Sequence, residues 1–160
     1  MAKIKTISDR LPKKMCKEWL EKNGFADIKP AKGESCDLIG RKDDKIYYIE
    51  IKYSSKLAGK FFGTVMLTEL FQAINNKENY LFLVCRGNSE SINDWFFKLF
   101  SVNNFIKLCT LTTPIFHYHL YANSDESQTI PVFRKDTKLA SEELIREMWK
   151  DFRKWKNKTN

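Results

Sequence analysis

Apolar positions along the chain change their spacing several times, and each change predicts an element. After Pro12, the residues Met15, Cys16, Trp19 and Leu20 recur at helical intervals, and Asn23-Gly24 supplies a stop, which predicts a short amphipathic helix. Residues 37–41 and 46–53 read as the two arms of a hairpin with Asp43-Asp44 at its tip. The stretch 54–63, with two glycines and two lysines, reads as a basic loop. Met66, Leu67, Leu70, Phe71 and Ile74 then predict a helix over 64–75.

Further on, the continuous apolar run Tyr80-Leu81-Phe82-Leu83-Val84-Cys85 has strand length and predicts a strand covered on both faces. Ile92, Trp95, Phe96, Leu99 and Phe100 fit a helix packed on the core. Residues 115–121 read as another strand, and His117 and His119 as strand residues within it. The last helix, 141–156, carries Leu144, Ile145, Met148, Trp149, Phe152 and Trp155 on one side. No repeat or linker interrupts the order. The expectation is one α/β domain over 1–160, with its core at about 11–121 and the terminal helix at about 141–156.

Composition narrows the class. At 160 residues, with 42% hydrophobic and 14% aromatic residues, the chain can bury a core without disulfides or structural metals. It has no run of 18 apolar residues, which argues against a membrane span, and its first ten residues lack the apolar stretch of a signal peptide. A cytoplasmic, intracellular protein is expected. Cys16, Cys36, Cys85 and Cys109 include no CxxC pair and read as free thiols.

The net charge of +8 lies at the two ends. Residues 1–35 hold nine Lys/Arg and five Asp/Glu, residues 134–160 again nine and five, and residues 36–133 ten of each. Such excess could neutralise phosphates, or simply keep a surface soluble.

The chemistry lies in Tyr47-Tyr48-Ile49-Glu50-Ile51-Lys52. Strand side chains alternate, so Tyr47, Ile49 and Ile51 face one way, and Glu50 and Lys52 the other. If the hairpin has a two- or four-residue loop, paired positions sum to 87 and Asp37 lies across from Glu50. Opposed residues bring their Cβ atoms to about 5 Å. Two acids that close repel, unless a divalent cation lies between them. Mg²⁺, which keeps its waters and takes one or two carboxylates, suits such a pair. Lys52 would stand beside it, able to orient a water or stabilise charge on a phosphate. A three- or five-residue loop would instead turn Asp37 to the other face, leaving an ordinary solvated hairpin.

Asp37, twelve intervening residues and Glu50-Ile51-Lys52 together resemble the PD-(D/E)xK nuclease signature. The entry Glu21-Lys22-Asn23-Gly24-Phe25 is similar to that of Holliday-junction resolvases and Mrr-like nucleases. The downstream residues Phe61-Phe62, Leu67-Thr68-Glu69 and Tyr80-Leu81-Phe82-Leu83-Val84 are similar to segments of Mrr-like domains. The resemblance covers about residues 11–86. It departs from the signature at Cys36, where the family name has proline.

The resemblance implies a restriction-endonuclease-like fold, a mixed central sheet flanked by helices. It implies phosphodiester hydrolysis, with Asp37, Glu50 and the carbonyl of Ile51 holding Mg²⁺ (Mn²⁺ substituting) and Lys52 helping the attacking water. Glu18 is the candidate for the first-helix glutamate of many members, and Gln72 for a downstream glutamine. Lys56, Lys60 and Arg86 are candidate contacts to the DNA backbone. The leading expectation is a DNA endonuclease of restriction or defence type, acting as a homodimer. The alternatives are a structure-specific resolvase or repair nuclease for branched DNA, and a non-catalytic nucleic-acid-binding module on the same scaffold. The terminal helix could supply a dimer contact or a DNA-facing surface, or pack on its own sheet.

Overall fold

The computed structural model describes residues 10–32, 36–55, 60–112, 115–121 and 138–158. The chain opens with α1 (Arg10–Lys22), followed by strands β1 (Ala26–Pro30), β2 (Leu38–Lys42), β3 (Lys45–Ser54) and β4 (Lys60–Val65). Next come α2 (Leu67–Asn75), β5 (Tyr80–Arg86), a 3₁₀ turn at Ile92–Asp94, β6 (Phe96–Ser101) and α3 (Val102–Ile106). The last elements are β7 (Cys109–Thr112), β8 (Ile115–Tyr121), β9 (Lys138–Leu139) and α4 (Glu142–Lys158).

One sheet has five strands in the order β1-β2-β3-β5-β6. Only its β3–β5 pairing is parallel, so the sheet is mixed, with helices against it. A second sheet runs β4-β8-β7-β9, antiparallel throughout. Among the described residues no helix is long and apolar enough to cross a membrane.

The five-stranded sheet separates two cores. Met15, Cys16 and Leu20 of α1 pack with Ile49, Leu83 and Cys85 on one face. Tyr80, Phe82 and Val84 face the other way, into a core shared with α2, α3, Tyr118 of β8 and Ile145 of α4. Burial on both faces explains the unbroken apolar run of β5.

It also explains where the sequence reading fails. Residues 96–101 form a strand, not the helix their spacing predicted. Phe96 and Phe100 serve one core while Phe97 and Leu99 serve the other, with Phe97 stacked on Trp19 at 5.3 Å. When both faces are apolar, helical and strand periodicities cannot be told apart, and pairing with β5 decides. Likewise 60–65, expected as loop and the start of a helix, pairs with β8, so that helix begins at Leu67.

Two local stops position the site. At the end of α1, Phe25 N–H donates to the Leu20 carbonyl at 3.0 Å and Gly24 N–H to that of Glu21 at 3.2 Å. This Schellman closure needs a left-handed residue, and Gly24 supplies it with φ 85°. At the hairpin tip, Asp43 (φ 49°) and Asp44 (φ 60°) both adopt left-handed geometry, the requirement of a two-residue type I′ turn. The register follows: Lys42 pairs with Lys45 and Leu38 with Ile49, each pair summing to 87.

Candidate active site

The strand alternation of β3 sets the site. Ile49 and Ile51 turn toward α1, while Glu50 and Lys52 turn to the opposite face. There they are only 7% and 9% exposed, and Lys52 Nζ donates to Glu50 Oε1 at 3.0 Å. Asp37 lies one residue before the first paired position of β2. Its backbone N–H donates to the Ile49 carbonyl at 3.0 Å, and its Oδ2 accepts from Ile51 N–H, also at 3.0 Å. The aspartate therefore closes over the end of the ladder and grips the peptide between Glu50 and Lys52, where the sequence reading had it directly opposite Glu50.

Two further side chains complete the cluster, and neither was among the candidates chosen from sequence. Lys13 of α1 pairs with Asp37 Oδ1 at 2.7 Å. Glu69 of α2 accepts from Lys52 through Oε2 at 2.5 Å. In sequence Glu69 stands only within the Leu67-Thr68-Glu69 similarity. Its signal was a glutamate at the third position of a helix, a common capping residue.

Electrostatics follow from this packing. Burial pushes the Glu50 carboxyl up to about 8, with the fields of Glu69 and Asp37 adding to it and Lys52 opposing. Burial works to lower the Lys52 ammonium, but Glu50 and Glu69 outweigh it and hold it above its ordinary value. If all five groups are ionised, Asp37, Glu50 and Glu69 bring three negative charges against two positive ones, Lys13 and Lys52. One negative charge is left over.

A hard cation would draw its carboxylate ligands from Asp37, whose Oδ1 pairs with Lys13 and Oδ2 with the Ile51 amide, and from Glu50. Among the described residues no three His, Cys, Asp or Glu side chains gather as metal ligands. Two carboxylates with open positions is the kind of site Mg²⁺ accepts.

The other candidates lie elsewhere. Glu18 bonds Lys22 at 3.0 Å on the surface of α1, so the first helix brings a lysine to Asp37, not a glutamate. Gln72 sits half-buried on α2, three residues beyond Glu69. Arg86 is 5% exposed at the end of β5, and burial holds its guanidinium below the ordinary value, which does not suit an open phosphate contact. Lys56 lies outside the described residues, as do the side chains of Lys60, His117 and His119, although Lys60 begins β4 and both histidines belong to β8. In α4, Trp149 stacks on Phe71 of α2 at 4.3 Å, a contact with a neighbouring helix where the sheet was the expected partner, while Phe152 is exposed.

No protein-family model matches the chain, and no curated protein matches it in sequence. Among solved structures it is similar to Hjc, a Holliday junction resolvase from Archaeoglobus fulgidus, with a TM-score of 0.45 and 16% identity. That similarity covers 68% of this chain and 85% of the resolvase.

Proposed function

We propose that the chain is a magnesium-dependent deoxyribonuclease of the PD-(D/E)xK type, cutting phosphodiester bonds within DNA. The observation that carries this is the Asp37 carboxylate bonded to the peptide N–H that follows Glu50, with the Lys52 amine held by the Glu50 carboxyl. Asp37, Glu50 and the Ile51 carbonyl would hold Mg²⁺, or Mn²⁺ in its place. Once bound, such a cation polarises a phosphate oxygen and acidifies a water.

The chain's own residues do the rest. Asp37 is oriented through its bond from the Ile51 amide. Glu50 gives up its proton on taking its ligand role. Lys52, held by Glu50 and Glu69, has an N–H left to donate to a water or a phosphate oxygen. The basic ends of the chain favour a polyanionic substrate. We further assign the protein to the restriction or defence class, acting as a homodimer, since the one such cluster among the described residues cuts one strand at a time.

The test is incubation with supercoiled plasmid and with a four-way junction, in Mg²⁺ or in EDTA, beside Asp37→Ala and Lys52→Ala. Plasmid cutting is expected in Mg²⁺ alone, with each variant losing about 10²-fold or more in rate while keeping the parental circular dichroism. Undiminished cutting by Lys52→Ala sinks the assignment. Cutting confined to the junction would move the protein to the structure-specific nucleases.

A further inference from the structure

Lys52 is held from two sides by elements that arrive from different parts of the chain. Glu50 is its neighbour on β3, while Glu69 comes from α2, seventeen residues further on. The Glu69 oxygen that takes the amine also accepts the Met66 N–H at 2.9 Å, at the junction of β4 and α2. We propose that Glu69 is a positioning residue, fixing the direction of the Lys52 amine by tying it to the first turn of α2. For its effect on turnover this rests on the nuclease reading; for the clamp itself it rests on geometry.

A lysine stem is flexible, and a single acceptor leaves its amine free to swing about that one bond. A second acceptor on a different element removes that freedom, provided the acceptor is itself anchored. Glu69 is anchored twice, by the Met66 amide and by a helix whose Leu70, Ala73 and Ile74 are buried. Half of a capping box would account for the bond to Met66 alone. It does not account for the same oxygen being aimed at a buried amine on another strand. Near-attack geometry is sensitive at this scale: about 1 Å of misplacement can cost about 10²-fold in rate.

The experiment separates capping from positioning. Glu69→Ala removes both contacts. Adding Met66→Ser restores a helix cap through the serine hydroxyl, but gives Lys52 nothing. Glu69→Gln keeps a neutral acceptor. Three readouts are taken: melting temperature, kcat and KM on duplex DNA, and the ¹H–¹⁵N signal of the Lys52 ammonium, which survives solvent exchange only where the amine is held.

Glu69→Ala is expected to lose the ammonium signal and about 10²-fold in kcat, with KM changed by no more than about twofold. The double variant should regain the parental melting temperature, but neither the signal nor the rate. Glu69→Gln should recover at least part of both. Full recovery by Met66→Ser would reduce Glu69 to a cap and overturn the proposal. So would an ammonium signal unchanged in Glu69→Ala, or no protected signal in the parent. If the parent cuts no DNA, the nuclease reading fails, while the spectra still decide the clamp.

Discussion

The Asp37 carboxylate and the Ile51 amide are joined by a 3.0 Å hydrogen bond that takes over where the β2–β3 ladder ends. A side-chain oxygen does there what a strand carbonyl would otherwise do. The bond gives Asp37 a structural part beside its chemical one, and the two can be separated.

Asp37→Asn keeps an oxygen that can accept from Ile51 N–H, whereas Asp37→Ala does not. Asn should therefore melt close to the parent, and Ala lower by about 1 kcal/mol or more of lost hydrogen bonding. Both should lose Mg²⁺ affinity measured by calorimetry, since a neutral amide is a poor substitute for a carboxylate. Parental Mg²⁺ binding by Asp37→Asn would remove Asp37 from the ligand set.

Glu50 should make cation binding depend on pH. Its carboxyl sits at about 8 in the folded protein against an ordinary 4.5, so near neutrality the folded chain carries a proton there. Binding must expel it, and Mg²⁺ affinity should rise up to tenfold per pH unit between 6 and 8, then level off. Calorimetry in two buffers of different ionisation enthalpy should register the released proton. Stability runs the opposite way. Below 4.5 both folded and unfolded chains hold the proton. Between 4.5 and about 8 only the folded one does, so stability falls across that window as pH rises. Glu50→Gln lacks this loss, and its melting temperature should gain on the metal-free parent from pH 5 to pH 8. A gap that stays constant across that range would contradict the burial argument.

The thiols should divide by position. Cys16 and Cys85 are buried with their sulfurs 3.5 Å apart, and that contact, with burial, pushes the Cys16 thiol far above its ordinary range. Burial also raises Cys109. Cys36 is only half-buried, beside Asp37. Iodoacetamide at pH 8 should therefore label Cys36 first in the folded protein and reach the other three only on unfolding, as read by peptide mass spectrometry. Early labelling of Cys16 would mean that α1 does not stay docked.

What could be read from sequence was what depends on neighbours in sequence. The Asn23-Gly24 stop, the strand 115–121 and the alternation that separates Glu50 and Lys52 from Ile49 and Ile51 all rest on local periodicity or turn chemistry. So did the pairing about Asp43-Asp44, once a two-residue loop was assumed. Contacts between distant segments were not legible. Lys13 reaches Asp37 because it flanks the buried stripe of α1 at the end near the hairpin, a matter of how that helix docks. Glu18 borders the same stripe, but five residues on, where Lys22 takes it. Glu69 meets Lys52 only because β5 lies beside β3 and brings α2 over it. The strand at 96–101 was hidden by being apolar on both sides.

The two-residue hairpin tip has a consequence for how this chain can vary. Its letters are replaceable by any pair that tolerates left-handed backbone, asparagine and glycine above all. Its parity is not. One inserted residue, with β3 held by its seven pairs to β5, would slip β2 by one and turn Asp37 to the other face. Two inserted residues would restore the arrangement, so length change at that corner should be survivable only in even steps.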